Sequence, residues 1–385
     1  MKFNGYVRPD GRIGIRNYIL ILPSVICSSE TCNQIAEQVE GAISLPNQAG
    51  CAQVGDDVNQ TRRTLIGFGN NPNVAGVLVV GLGCEGVNPR GVAKEIEKSG
   101  KPVETLVIQE TGGTVKTIEK GIELAKKLKA YADQAPRKEV GLDELTVGIE
   151  RGDSDITSAV AADPASGAAA DLLVEQGGTV LFSETKELIG AEHLLAEKAA
   201  SSEVAQAITA AIEQREEKLK ESGVDYRSAQ PGPKHIQKGF STIEEKALAA
   251  AFKSGTSPIQ DVLRYGDAPK TKGRVFMDSG GFDIESVTGM VAGGAQLIVY
   301  TTGKGNPVGS PISPVIKVCG DPKMAQVMAD NIDINAGRIM TGEETIADVG
   351  RRIYREMIEV ANGKLTKAEQ LGFADFAIHR ILPSF

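Results

Sequence analysis

Short apolar runs alternate with helical patterns over most of this chain, and that alternation restricts its fold more than any other feature. The runs 18-YILILPSVI-26, 74-VAGVLVVGL-82, 103-VETLVI-108, 145-LTVGIE-150, 178-GTVLF-182, 273-GRVFM-277, 296-QLIVYTT-302 and 315-VIKVC-319 are rich in Val, Ile and Leu, as strands covered on both faces tend to be. Between them, 28-SSETCNQIAEQVE-40, 114-TVKTIEKGIELAKKLKAYA-132, 191-AEHLLAEKAASSEVAQAITAAIEQREEKLK-220 and 343-EETIADVGRRIYREMIEVANG-363 carry helical periodicity. Such alternation predicts an α/β protein with largely parallel sheets flanked by helices. With 385 residues the chain exceeds one ordinary core. The polar linker 133-DQAPRKEVGLDE-144 places a boundary near residue 137, giving an N-terminal domain over 1–136 and a C-terminal domain over 137–385. A second breaker, 228-SAQPGPKHIQKGF-240, reads as a long loop of the kind that often carries function.

Composition narrows the class of partner. A net charge of −8 leaves no basic excess to neutralise nucleic-acid phosphates. No apolar run approaches the roughly 20 residues of a membrane helix. The start, MKFNGYVRPDGRIGIRNY, has no apolar core of signal-peptide type, so a cytoplasmic protein is expected. Five cysteines in such a chain read as thiols or metal ligands rather than a disulfide framework.

Three of those cysteines stand in comparable places. Cys27 and Cys84 each follow a predicted strand, and Cys51 follows the shorter extended stretch 42-AISLPNQAG-50. Strand exits of a parallel sheet share one edge, where ligands collect, so the three thiols are expected to converge as a site with an open position. Free cysteines are also common as small buried hydrophobes, and that is the reading for Cys32 and Cys319. The segment 5-GYVRPDGRIGIRNY-18 carries Arg8, Arg12 and Arg16, whose forks suit a carboxylate. Ser154, Asp155 and Ser158 follow another strand and suit hydroxyl groups. Lys304, between glycines in 301-TTGKGNPVGSPISP-314, can hold an anion or act as a base. Neither of these two segments fits a Walker or Rossmann fingerprint, and no His-x-x-x-His pair exists.

The blocks 5-GYVRPDGRIGIRN-17, 50-GCAQVGDD-57, 81-GLGCEG-86, 154-SD-155, 242-TIEEK-246, 261-DVLRYG-266, 301-TTGKGNPVG-309 and 333-DINAG-337 together resemble the altronate and galactarate dehydratase family of acid-sugar lyases, over nearly the whole chain. The resemblance implies β-elimination from an anionic 2-hydroxy acid: a sugar acid would lose water to give a 2-keto-3-deoxy acid. In the sulfolactate sulfo-lyase branch, sulfite leaves and pyruvate remains. It further implies Lys304 and Glu85 as catalytic groups and Arg8, Arg16, Asn17, Ser154, Asp155 and Arg264 as substrate contacts. Iron is implied on Cys27, Cys51 and Cys84, as a mononuclear ion or an iron–sulfur cluster. Fused members carry a small domain ahead of the arginine segment, so the chain resembles a large subunit that forms a homo-oligomer and needs a separate small subunit. It departs from the altronate enzymes at Asn47, where they have histidine, at Arg151, where they have cysteine, and at Asp153, where they have glycine. An arginine there favours a second anionic group on the substrate. The same losses leave room for a non-catalytic sugar-acid-binding regulatory subunit.

Overall fold

In the computed structural model, which describes residues 1–382, the strands are β1 (Lys2–Val7), β2 (Ile13–Gly14), β3 (Tyr18–Pro23), β4 (Ala42–Ser44), β5 (Val74–Gly81), β6 (Val103–Val107), β7 (Arg137–Gly141), β8 (Thr146–Arg151), β9 (Thr179–Phe182), β10 (Ile259–Leu263), β11 (Gly273–Met277), β12 (Leu297–Thr302), β13 (Val315–Cys319) and β14 (Ile334–Asn335). Each apolar run expected to form a strand does so. The sheet β4-β3-β5-β6 is parallel throughout, and so is the seven-stranded sheet β10-β11-β9-β8-β12-β13-β14. Both are flanked by helices, as an α/β fold requires. The helix Ile346–Ala361 shows why: Val349, Ile353, Met357 and Val360 form one buried stripe, and a Thr345–Asp348 capping box starts it.

Each parallel sheet reverses its strand order once. In the smaller sheet β3 is followed outward by β4, and β5 then lies on the other side of β3. In the larger one β9, β11 and β10 lie on one side of β8 and β12 on the other. The crevices outside β3/β5 and β8/β12 are therefore the topological switch points, where open α/β sheets bind ligands.

Three expectations differ from what is seen. The stretch 133–144 is not simply a linker: β7 lies within it and pairs antiparallel with β1, which pairs with β2 in turn. It reads as polar because it is a half-exposed edge strand whose partner is at the other end of the domain. The single helix expected over 191–220 is two, Glu192–Glu197 and Ser202–Glu221. Between them Ala200 N–H bonds Ile259 O at 2.8 Å, and Ser201 caps the second helix. The loop 228–240 contains the short helix Pro233–Gln237.

One apolar core joins the two parallel sheets, with Leu20, Leu22, Val77 and Val79 from the first packed into a cluster with Leu181, Val275, Met277 and Ile298 from the second. The helices Asp56–Asn70 and Asp283–Ala292 meet at this junction. Gly67 allows the contact, because a Cβ there would overlap the backbone of Ala292. Among the described residues no helix is long and apolar enough to cross a membrane.

Candidate functional site

At the switch point of the smaller sheet, the three cysteine-bearing segments are tied together through the backbone. Ile26 N–H bonds Ala49 O at 3.0 Å, and Gly86 N–H bonds Gly50 O at 3.1 Å. Gly50 has φ 102°, and a side chain there would run into Ser24 and Val25, so the close approach of these loops depends on glycine. Asn47, buried, donates to Pro23 O at 3.0 Å and accepts from Ala49 N–H at 2.9 Å; it braces the Cys51 loop against the end of β3. Ala52, next to Cys51, holds φ 53°, the kind of backbone strain found at functional sites. Cys27, Cys51 and Cys84 are exposed, whereas Cys32 and Cys319 are buried. The segments converge, but among the described residues no three His, Cys, Asp or Glu side chains form a group able to hold a metal as they stand.

Glu85 organises the same loop. Its carboxylate accepts from Ser24 Oγ at 2.9 Å, Leu82 N–H at 3.0 Å and Gly83 N–H at 2.6 Å. Against partial burial, these donors hold its pKa below the usual carboxylate value. A carboxylate so saturated is a clamp for the Cys84 loop and a weak base.

The arginine segment has a different place from the one expected. Arg16 is buried and all five of its N–H donors are engaged, on Glu369 Oε1 and Oε2, Ile15 O, Val360 O and Lys364 O. Arg8 is buried as well, donating to Pro72 O, Asn17 Oδ1 and Arg16 O, and Asn17 donates to Ala132 O at 2.9 Å. These three residues fasten the chain start to distant carbonyls and have no fork left for a substrate. Arg264 is exposed beside Asp267, at 2.8 Å.

At the switch point of the larger sheet lies a pocket of about 220 Å³, lined by Arg151, Ser154, Glu184, Glu187, His235, Lys238 and Asp283 among others. Its floor is a buried charge network. Arg151 reaches Glu187 at 2.9 Å and Asp163 at 3.4 Å; Lys246 reaches Glu187 at 3.0 Å; Lys253 lies 2.6 Å from Glu184 and 3.7 Å from Glu150. Burial would raise Glu187, yet Lys246 and Arg151 bring its pKa down to about 2. Burial and the neighbouring Glu184 charge push Glu150 well above the carboxylate range. Buried ion pairs are seldom net stabilising, and perturbed groups gathered in a cleft mark functional sites. Arg151 therefore does not supply the free cation expected of it, since two carboxylates already hold it.

Of the residues singled out from sequence, Ser154 lines this pocket. Asp155 is buried and caps the following turn, accepting from Thr157 N–H at 2.9 Å and Ser158 N–H at 3.0 Å. Lys304 does not line the pocket. Its ammonium is 3.5 Å from Asp155 and 3.7 Å from Asp321, linking the exits of β8 and β13, so its charged neighbours are carboxylates where a lysine base calls for cations. Glu150, Glu184, Glu187, His235 and Asp283 were not singled out. A signal existed, for an acidic residue ends or follows three apolar runs, in 145-LTVGIE-150, 178-GTVLFSE-184 and 273-GRVFMDSGGFD-283.

The C-terminal segment ties the helix Asp283–Ala292 to the helix Asp56–Asn70. His379 Nδ1 is 2.9 Å from Glu285, while Ile381 and Leu382 N–H groups bond Asp57 at 2.7 and 3.1 Å, on the helix that follows Cys51.

Comparison with known proteins agrees with this layout. Residues 5–133 match the family described as D-galactarate dehydratase/Altronate hydrolase, second domain, and residues 142–384 match D-galactarate/Altronate dehydratase, C-terminal. The chain is 36% identical to the (2R)-sulfolactate sulfo-lyase subunit beta of Chromohalobacter salexigens, over 99% of this chain and 98% of that one. It is 32% identical to the altronate dehydratase of Bacillus subtilis, over 98% of this chain and 77% of the relative. With the galactarate dehydratase (L-threo-forming) of Escherichia coli, identity is 34% over 94% of this chain and 73% of the relative.

Proposed function

The chain belongs to the D-galactarate/altronate dehydratase family of lyases, and from that premise we propose that it eliminates a β-substituent from an anionic 2-hydroxy acid in the charged pocket outside β8 and β12. The observation that carries the placement is the buried network of Arg151, Glu184, Glu187, Lys246 and Lys253 beneath a pocket at the switch point. A cavity of about 220 Å³ suits a small acid. Our first reading of the substrate is a sugar acid of altronate or galactarate type, dehydrated to a 2-keto-3-deoxy acid. The second is (2R)-sulfolactate, giving pyruvate and sulfite; the end-to-end alignment with a sulfo-lyase beta subunit supports it. The name of that relative also supports a separate small subunit as partner.

We assign the family's iron to Cys27, Cys51 and Cys84. The meeting of three loops that each carry an exposed cysteine supports this, and soft thiolates suit iron. Bound there, iron would be a Lewis acid at the thiol edge, apart from the charged pocket. Among the described residues the side chains as they stand do not close a three-ligand group.

The deciding experiment is anaerobic co-purification with the small subunit, followed by assay of 2-keto acid and, separately, sulfite over aldonic acids, aldaric acids and sulfolactate. Keto acid without sulfite from a sugar acid supports the dehydratase, and sulfite from sulfolactate supports the second reading. No keto acid from any of them sinks the lyase assignment and leaves a regulatory subunit.

A further inference from the structure

Four carboxylates on the wall of one pocket suggest a site for a cation, but all four are already met by donors. Asp153 is held by Lys238 and Glu184 by Lys253. Glu187 is shared by Arg151 and Lys246, and Asp283 accepts from the Tyr300 hydroxyl. The four cations in these pairs are occupied in turn. What stays open is of the opposite kind. The Ser154 hydroxyl, on the pocket wall, has no hydrogen-bond partner among the described residues, and beside the pocket one cation is free.

That cation is Lys186. It is half-buried, yet its ammonium makes no hydrogen bond or ion pair among the described residues. Every other described lysine that is not exposed has a carboxylate, a carbonyl or an aromatic ring as its partner. Lys186 sits in the short helical turn Thr185–Leu188, between Glu184 and Glu187, which both line the cavity. The turn is pinned to the exit of β11, where Thr185 Oγ1 accepts from Ser279 N–H at 3.0 Å and donates to Asp278 at 2.6 Å. The Lys186 stem lies on Gly281, another lining residue: a Cβ there would come within 2.1 Å of its Cδ and 2.2 Å of its Cε. The missing side chain at Gly281 is what lets the lysine lie along the rim of the cavity.

Resting on the elimination reaction above, we propose that Lys186 anchors the substrate, its ammonium binding the carboxylate of the incoming 2-hydroxy acid. An acid entering this pocket must find a cation that is not already neutralised. Recruiting Arg151 would leave Glu187 and Asp163 short of their partner, and an uncompensated buried charge is costly. Lys186 gives up only water. A lysine is a compact point charge on a flexible stem, so it accepts the carboxylate of an aldonate, an aldarate or sulfolactate alike. It rejects neutral forms of the same molecules, such as the lactone into which an aldonic acid closes. Lys186 is a binding residue and takes no part in bond making.

The test uses the chain with its small subunit and two small probes, racemic lactate and its neutral amide, lactamide. Lactate carries the 2-hydroxy acid common to both substrate readings and has no β-substituent to lose. Dissociation constants are read from the rise in melting temperature over a titration. Wild type is expected to bind lactate roughly 10- to 100-fold more tightly than lactamide, as a hydrogen bond to a charged group allows. Lys186→Met keeps an unbranched stem and loses the charge; it should bind lactate no better than lactamide, with lactamide unchanged. Gly281→Ala, whose methyl displaces the stem, should weaken lactate on its own and cost nothing further in Lys186→Met. Lactate bound by Lys186→Met within twofold of wild type overturns the anchor, and so does a wild type that does not prefer lactate to lactamide. Anchor and elimination fail separately. Keto acid formed by an enzyme whose lactate affinity ignores Lys186 sinks the anchor alone, and lactate held through Lys186 by a protein that forms no keto acid sinks the elimination alone.

Discussion

Arg16 shows how a residue type can be read correctly for its chemistry and wrongly for its partner. An arginine fork does recognise a carboxylate here, but the carboxylate is Glu369, 2.7 Å away and mostly buried, and the remaining donors meet main-chain carbonyls as distant as Lys364. Nothing local to 5-GYVRPDGRIGIRN-17 discloses acceptors some 350 residues downstream. Lysine cannot reproduce the fork, so Arg16→Lys should leave several buried carbonyls unpaired and destabilise the protein by about 2–3 kcal/mol. Measured at low temperature, its kcat and KM should stay within twofold of wild type. A variant of normal melting temperature and lost turnover would falsify this structural reading and return Arg16 to the substrate. Asn47 belongs to the same lesson, because its amide ties the Cys51 loop to Pro23 and serves there as a brace.

At the scale of elements, what was legible is what local pattern controls. Seven of the eight apolar runs are buried strands because parallel pairing covers both faces, as in β5, where every residue is buried, while β6, at the sheet edge, is half-exposed. The strands β1 and β7 were not legible, being half polar, and β7 is an edge strand whose partner β1 lies some 130 residues upstream. Strand exits were legible as places and not as partnerships: the cysteine loops meet as expected, whereas the charged pocket arises from β8, β9 and β11 together, and only their order in the sheet brings Glu150, Glu184 and Asp283 to one edge. That juxtaposition has a thermodynamic signature. Glu150 keeps a proton in the folded protein at pH values where the unfolded chain, with a carboxyl pKa of about 4.3, has lost it. Its folded pKa is raised, so its favourable contribution is fully present below about pH 4.3 and is lost as pH rises towards the folded value. Glu150→Gln removes that proton. The melting temperature of the variant relative to wild type should therefore climb from pH 5 to pH 8, by up to roughly 1.4 kcal/mol per pH unit of stability. A difference that stays flat with pH would mean that Glu150 is ionised in the fold.

The molecule as a whole is less divisible than its sequence suggests. Family matches fall on 5–133 and 142–384, and each parallel sheet has its own switch point, which would suit two independent domains. Three structural ties work against independence. β1 and β7 pair across the segment that separates the matches. Arg16 and Glu369 form a buried ion pair between the chain start and the C-terminal region. Most of all, residues of β3 and β5 share one apolar cluster with residues of β9, β11 and β12, so separating the sheets would expose core rather than a polar interface of the usual interdomain kind. Asn71 and Asn73 reinforce the junction, their amides donating to Val291 O and Ala295 O and to Gln296 O and Ile312 O at 2.8–3.0 Å. Removing one half would leave those carbonyls and the apolar face of the other uncovered, at a cost neither half can meet from its own marginal stability. Thermal unfolding followed by calorimetry and by far-ultraviolet circular dichroism should accordingly give one coincident transition, and residues 1–136 expressed alone should not fold. Two resolved transitions, or a cooperatively folding 1–136 fragment, would show that the shared core is a contact surface only. The consequence reaches the chemistry, since the shared core fixes the thiol edge relative to the charged pocket, with the His379–Leu382 segment bonded to the helices Asp283–Ala292 and Asp56–Asn70.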